Sequence, residues 1–265
     1  MDQKISLIFL GIILIILILL YKSSVNRKKL INEKLALPFP EKWKSTLLEK
    51  NLFYIKLNYN DRALFEERIQ RFLSTKNIEG IDTKIDDTIR LLVASSAIIP
   101  TFSFPEYNYP NVTSILIYPN SFDENFQTKR FAGHKEFILG MVGNRFMNGT
   151  VILSKPDLID AFDGKYNNNN VGIHEFVHLL DEEDGVIDGI PEALLEKRFV
   201  GPWLHEIKKE MKNIESGNSD IHPYALTNNA EFLAVVSEYF FDNPNVFENK
   251  HPELYRFLSS IYNLG

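Results

Sequence analysis

Residues Ile5 to Tyr21, ISLIFLGIILIILILLY, form seventeen consecutive positions without a charge. Such a run has to be buried in a protein core or in lipid, and its length favours lipid. As a helix rising 1.5 Å per residue it spans ~25 Å, slightly less than a hydrocarbon core of ~30 Å. Tyr21 at the boundary, with Lys4 and Lys22 reaching outward, covers the difference. A cleaved secretory signal is the competing reading, but its short apolar region ends in small residues. Here the run ends in Leu-Leu-Tyr-Lys, with no A-x-A pattern. The segment therefore reads as a single-pass anchor over residues 1–22. A basic juxtamembrane linker, residues 23–40, follows and stops at Leu37-Pro38-Phe39-Pro40.

Charge supports that division. Residues 1–40 hold six Lys or Arg against Asp2 and Glu33, while the whole chain is at −6, so residues 41–265 carry −10. Lys22, Arg27, Lys28, Lys29 and Lys34 all follow the apolar run and only Lys4 precedes it. Positive residues stay on the cytoplasmic side, so the body is expected in the cytoplasm. An acidic body lacks the basic face that phosphate contacts require, which argues against nucleic acid as a partner. The chain has no cysteine, which excludes disulfides, thiolate metal sites and cysteine nucleophiles.

The body, 41–265, contains no internal repeat. Apolar residues recur at helical spacing over Glu41–Lys50, Asp61–Ser74 and Asp86–Ile98, and Val112–Tyr118 and Val151–Ser154 read as strands. Asn167–Asn170 reads as a loop. From Val171 onward the pattern is mainly helical, interrupted by Gly185, Gly189, Pro191 and Pro223. The expected class is α+β, with an N-terminal part at 41–140 and the chemistry in a helical part at 141–265.

His174-Glu175-Phe176-Val177-His178 carries that chemistry. Residues i and i+4 share a helix face, so His174 and His178 can aim both imidazoles at one metal, with Glu175 beside them to take a proton from water. Apolar residues at 171, 173, 176, 177, 179 and 180 bury this helix, where charged groups need a reason to exist. A catalytic zinc usually has a third protein ligand. The HExxHxxGxxH pattern puts Asp181 at the glycine position and Asp184 at the third ligand, without the turn-forming glycine. The alternative is Glu231 on a second helix opened by Asn228-Asn229-Ala230, with the small Ala234 one turn later. Glu238, on the same face as Glu231, and Asp181 are candidates to hold a ligand imidazole from behind. His134, His205 and His251 have no partner at ligand spacing, and His222 reads as a loop residue.

HEFVHLLDEEDGVIDGIP followed by HPYALTNNAEFLAVVSEYFF resembles the MtfA (Mlc titration factor A) family of zinc-dependent peptidases, and the resemblance extends over roughly residues 61–262. The second stretch is also similar to the catalytic domain of anthrax lethal factor. The resemblance implies a zincin-like metallopeptidase body of gluzincin type, with Zn2+ held by His174, His178 and Glu231. It implies Glu175 as general base and Tyr224, seven residues before Glu231, as the tyrosine facing the zinc. Read from the residues alone, Tyr224 either stabilises an oxyanion or packs a loop after Pro223. The resemblance also implies a peptide or protein substrate and a regulatory protein partner, since family members are associated with sugar-uptake regulation through a repressor. Two functions remain in view: an anchored zinc peptidase, and an anchored regulatory binding module whose zinc site is mainly structural.

Overall fold

The computed structural model describes residues 2–120, 140–142, 149–163 and 169–263, and the chain divides between Phe39 and Pro40 into an N-terminal helix and a body. His134, Asn167 and Asn168 lie outside the described residues. Helix α1, Asp2–Leu35, runs through the apolar stretch and on through the basic one. Nothing between Ser23 and Leu35 breaks a helix, and the first proline is Pro38. The apolar residues Leu10 and Ile12 through Leu20 are all exposed. Among the described residues, α1 is the helix long and apolar enough to cross a membrane, by length and composition.

The body is mostly helical around a small sheet. Its first part runs α2 (Glu41–Lys50), α3 (Leu52–Lys56), α4 (Tyr59–Thr75), β1 (Asn77–Gly80), α5 (Asp87–Ile98) and β2 (Ser114–Tyr118). Then come β3 (Gly140–Val142), β4 (Thr150–Ser154), α6 (Lys155–Ala161) and α7 (Val171–Asp181). The chain ends with α8 (Lys197–Glu215), α9 (Asn229–Asp242), α10 (Pro244–Lys250) and α11 (Pro252–Ile261). The strands lie in the order β1-β2-β4-β3, with β1, β2 and β4 parallel and β3 antiparallel to β4. Residues from 41–140 and from 141–265 thus share one sheet. β2 alternates, with Ile115 and Ile117 inward, whereas Val151 to Ser154 of β4 are buried without a break, as a strand covered on both faces requires.

The three anticipated helices of the first part are present as α2, α4 and α5. Asp86 caps α5 by accepting a hydrogen bond from the Ile89 backbone N–H at 3.0 Å, so it sits just outside the helix rather than in its first turn. Helix α5 is buried along most of its length and forms the floor on which α7 rests. Gly172 permits that contact, because a Cβ at this position would lie 2.0 Å from Ser96 Oγ. One turn on, along the same face of α7, Phe176 packs edge-on to Phe72 at 5.9 Å and against Tyr109 at 4.9 Å. Such a ring, fully buried, contributes ~1.5–3 kcal/mol of transfer free energy plus ~0.5–1.5 kcal/mol for its aromatic neighbours. The result is a helix carrying two histidines and a glutamate, wedged between α5, the sheet and α9.

Candidate metal centre

Every residue of α7 except His174 is buried, and His174 is nearly so. Asn170 starts the helix: its side-chain oxygen accepts from the Ile173 backbone N–H at 3.1 Å and its carbonyl from that of His174 at 2.9 Å. One turn in, His174 and His178 point off the same face toward α9. Asn228 caps α9 by accepting from the Glu231 backbone N–H at 2.9 Å, which brings the Glu231 side chain into the first turn. The three side chains meet. His174 Nε2 lies 2.9 Å from Glu231 Oε2 and 3.2 Å from His178 Nε2, and His178 Nε2 lies 3.5 Å from the same carboxylate oxygen.

This set fits a divalent cation. Bonds of ~2.0–2.1 Å at tetrahedral angles separate donor atoms by ~3.3 Å, and the three separations here bracket that value. Two imidazole nitrogens and a carboxylate oxygen are also zinc's preferred donors, whereas calcium and magnesium take oxygens. Among the described residues, His174, His178 and Glu231 are the group of potential metal donors gathered within 4.8 Å of one another.

The electrostatics lead to the same place. Burial would lower the His174 pKa, but hydrogen bonds to Glu231 and Glu238 overcome it and hold the imidazole well above its ordinary value. Burial would likewise raise Glu231, yet the two histidines bring it down to about 2. Glu175 is shifted upward by its own burial, with the imidazoles pulling the other way. Two largely buried histidines thus face three carboxylates, a concentration of negative charge that a bound cation relieves.

Behind His174 stands Glu238. Its Oε1 lies 2.7 Å from His174 Nδ1, and its Oε2 accepts the backbone N–H of Asn170. One carboxylate from α9 therefore fixes both the ring and the start of the helix that carries it, leaving Nε2 to face the cluster. Asp242, one turn on, lies with its Oδ1 3.5 Å from Asn170 Nδ2, and burial beside Glu238 pushes its carboxyl up to about 7. The Glu238 contact answers to its spacing from Glu231. The paired role of Asn170 has only a local signal, an Asn before an apolar helix, and its link to Glu238 spans 68 residues.

Asp184 stays apart from the cluster. It is exposed, and its two oxygens accept the backbone N–H groups of Val186 and Glu192, because the chain turns sharply after α7 through Gly185 at φ 99°. Asp181 also differs from expectation. It receives the Gly189 N–H at 2.7 Å rather than an imidazole, since that same turn folds residue 189 back over the end of α7. Tyr224 lies in a 3-10 turn, Pro223–Leu226, with its ring centroid 6.0 Å from that of His174 and its surface half exposed. His222 caps this turn, its Nδ1 accepting from the Tyr224 N–H at 3.2 Å. The preceding loop is held by Asp220, which bonds Tyr239 Oη at 2.8 Å, Lys250 Nζ at 2.6 Å and His251 Nε2 at 2.8 Å. His251 is thus a structural residue, and His205 is exposed.

Comparison with known proteins shows the family of this chain. The family model of the glucose-regulated metallo-peptidase M90 matches residues 23–263. The protein slr2042 of Synechocystis is 28% identical over 232 residues, covering 85% of this chain and 84% of its own length. Mlc titration factor A of Salmonella agona is 29% identical, covering 78% and 81%. Mlc titration factor A of Escherichia fergusonii is 30% identical, covering 73% and 75%.

Proposed function

Because this chain belongs to the glucose-regulated metallopeptidase family M90, we propose that its body is a zinc-dependent peptidase of the zincin-like, gluzincin type, anchored to a membrane by α1. The observation that carries this reading is the convergence of His174, His178 and Glu231 beside the buried Glu175. His174, His178 and Glu231 would hold the ion. When bound, zinc supplies Lewis-acid chemistry, polarising a peptide carbonyl and making water more acidic.

The chain's own groups do the rest. Glu175 accepts a proton from the attacking water on a carboxylate oxygen and returns it to the leaving amine nitrogen. Its raised pKa suits both halves of that exchange, since it holds the proton long enough to deliver it. The Tyr224 hydroxyl donates a hydrogen bond to the oxygen on which negative charge develops. Glu238 keeps the His174 ring oriented through Nδ1–H. Burial of Glu175 and Glu238 within α7 and α9 shields these two carboxylates from bulk water and strengthens their interactions.

The expected result is that the chain, purified in detergent, contains about one zinc and cleaves members of a broad peptide library. Cleavage should stop with a chelator and return with added zinc. A chain that holds no metal and cleaves nothing in either state refutes the peptidase.

The excess of positive charge after the apolar run, five residues against Lys4, motivates the proposal that the body faces the cytoplasm. A reporter fused at the C-terminus should stay inaccessible to an impermeant label in intact cells. Labelling from outside would reverse the assigned topology. The name of the relatives, Mlc titration factor A, favours a second role in which the same body also binds a regulatory protein.

A further inference from the structure

The metal-bearing helices α7 and α9 run antiparallel and are tied at both ends. At one end Glu238 takes the His174 ring and the Asn170 N–H. The other end, next to His178 and Glu231, is tied by residues that are not themselves donors. Asp181, the last residue of α7, is fully buried, and its Oδ2 accepts the Gly189 N–H at 2.7 Å. The carbonyl of Gly189 accepts the indole N–H of Trp203 at 2.7 Å. Gly189 itself lies on the first turn of α9, where a Cβ would come 2.2 Å from the Asn229 carbonyl oxygen and 2.8 Å from the Ala230 nitrogen. Its φ of +78° makes a side chain strained there in any case. Trp203 completes the contact, its ring 6.2 Å from that of Phe232, the residue next to Glu231.

We propose that Asp181, Gly189 and Trp203 form a brace that sets the separation of the two helices and so positions His178 against Glu231. This rests on reading the centre as a metal site. The geometry requires such a device because the third ligand comes from a different helix. His178 is one turn before Asp181, and Glu231 is two residues beyond the Asn229 carbonyl that Gly189 touches. A shift of the 189 backbone therefore moves the Glu231 carboxylate relative to the imidazoles. A useful ligand set tolerates errors of only ~0.5 Å. Burial of Asp181 also calls for an explanation, since an enclosed carboxylate is costly and its one hydrogen bond goes to this backbone N–H. None of the three brace residues is among the metal donors, so each is a positioning residue.

The test uses the 265-residue chain in detergent and three variants, Gly189→Ala, Trp203→Phe and Asp181→Asn. Zinc affinity is measured by competition with a chromogenic chelator, coordination geometry by the visible absorption of the Co2+-loaded chain, and fold by melting of the metal-free chain. Gly189→Ala and Trp203→Phe should lose ~10–100-fold in zinc affinity, the range for residues that orient ligands, and should change the cobalt spectrum. Asp181→Asn keeps an acceptor for the Gly189 N–H and should stay within about threefold of the parent. Parental zinc affinity and cobalt spectrum in folded Gly189→Ala and Trp203→Phe overturn the brace, even if the metal-free chains melt earlier. Should Gly189→Ala fail to fold, Trp203→Phe decides alone. A parent chain that binds neither ion overturns the metal centre itself, and the brace with it.

Discussion

Glu175→Gln should leave zinc content and fold intact while peptide turnover falls by at least ~10²-fold, the range for losing a general acid–base group. The amide has nearly the shape of the carboxylate, and Glu175 is not one of the three converging donors, so neither packing on α7 nor the ligand set changes. Glutamine cannot accept the proton of the attacking water or hand one to the leaving amine. Neutralising a buried carboxylate whose charge is already disfavoured by burial carries little structural cost. Tyr224→Phe should also keep its zinc but lose less, because the half-exposed ring leaves room for water to stabilise an oxyanion in its place. Steady-state hydrolysis on samples with measured metal content checks both. Parental turnover in zinc-loaded Glu175→Gln would remove the proton-transfer role and leave the site as a structural centre.

Legibility of the molecule in its sequence follows the range of the interactions. His174, Glu175 and His178 are readable because one helical turn places them, and nothing distant needs to be known. Glu231 is fifty-three residues from His178 in the chain, yet it stands at a helix start marked by Asn228, a local signal. Helices α2, α4 and α5 show their periodicity, and β2 and β4 their apolar runs. β1, reading NIEG, and β3, reading GMV, are too short to alternate and exist because neighbouring strands offer them hydrogen bonds. The basic segment after the apolar run is helical as part of α1, because a change in charge without a helix breaker marks no change of backbone. Least visible are the ties from Asn170 to Glu238 and from Asp181 to Gly189. Both use backbone N–H groups as donors, and a backbone donor leaves no mark on residue type.

Glu231→Ala tests the ligand count, and its effect on the metal should be the largest of any single substitution outside the histidines. The Asn228 side chain caps α9 by accepting a backbone N–H, which alanine still provides, and alanine is the best helix former, so α9 should keep its first turn. What disappears is the oxygen that faces both imidazoles, at 2.9 Å from His174 Nε2 and 3.5 Å from His178 Nε2. Two nitrogens alone fall short of the three protein ligands of a catalytic zinc site. Residues that only orient a ligand cost ~10–100-fold in affinity, so removal of the ligand itself should exceed ~10²-fold. Glu238→Gln sets the scale within the same helix. It removes a charge from behind His174 without touching the donor set, and should therefore fall inside that smaller range. Chelator competition on both variants, with circular dichroism of the metal-free chains, separates lost affinity from lost fold. If Glu231→Ala binds zinc as tightly as the parent, a different oxygen completes the centre, and the pairing of α7 with α9 has to be explained by packing alone.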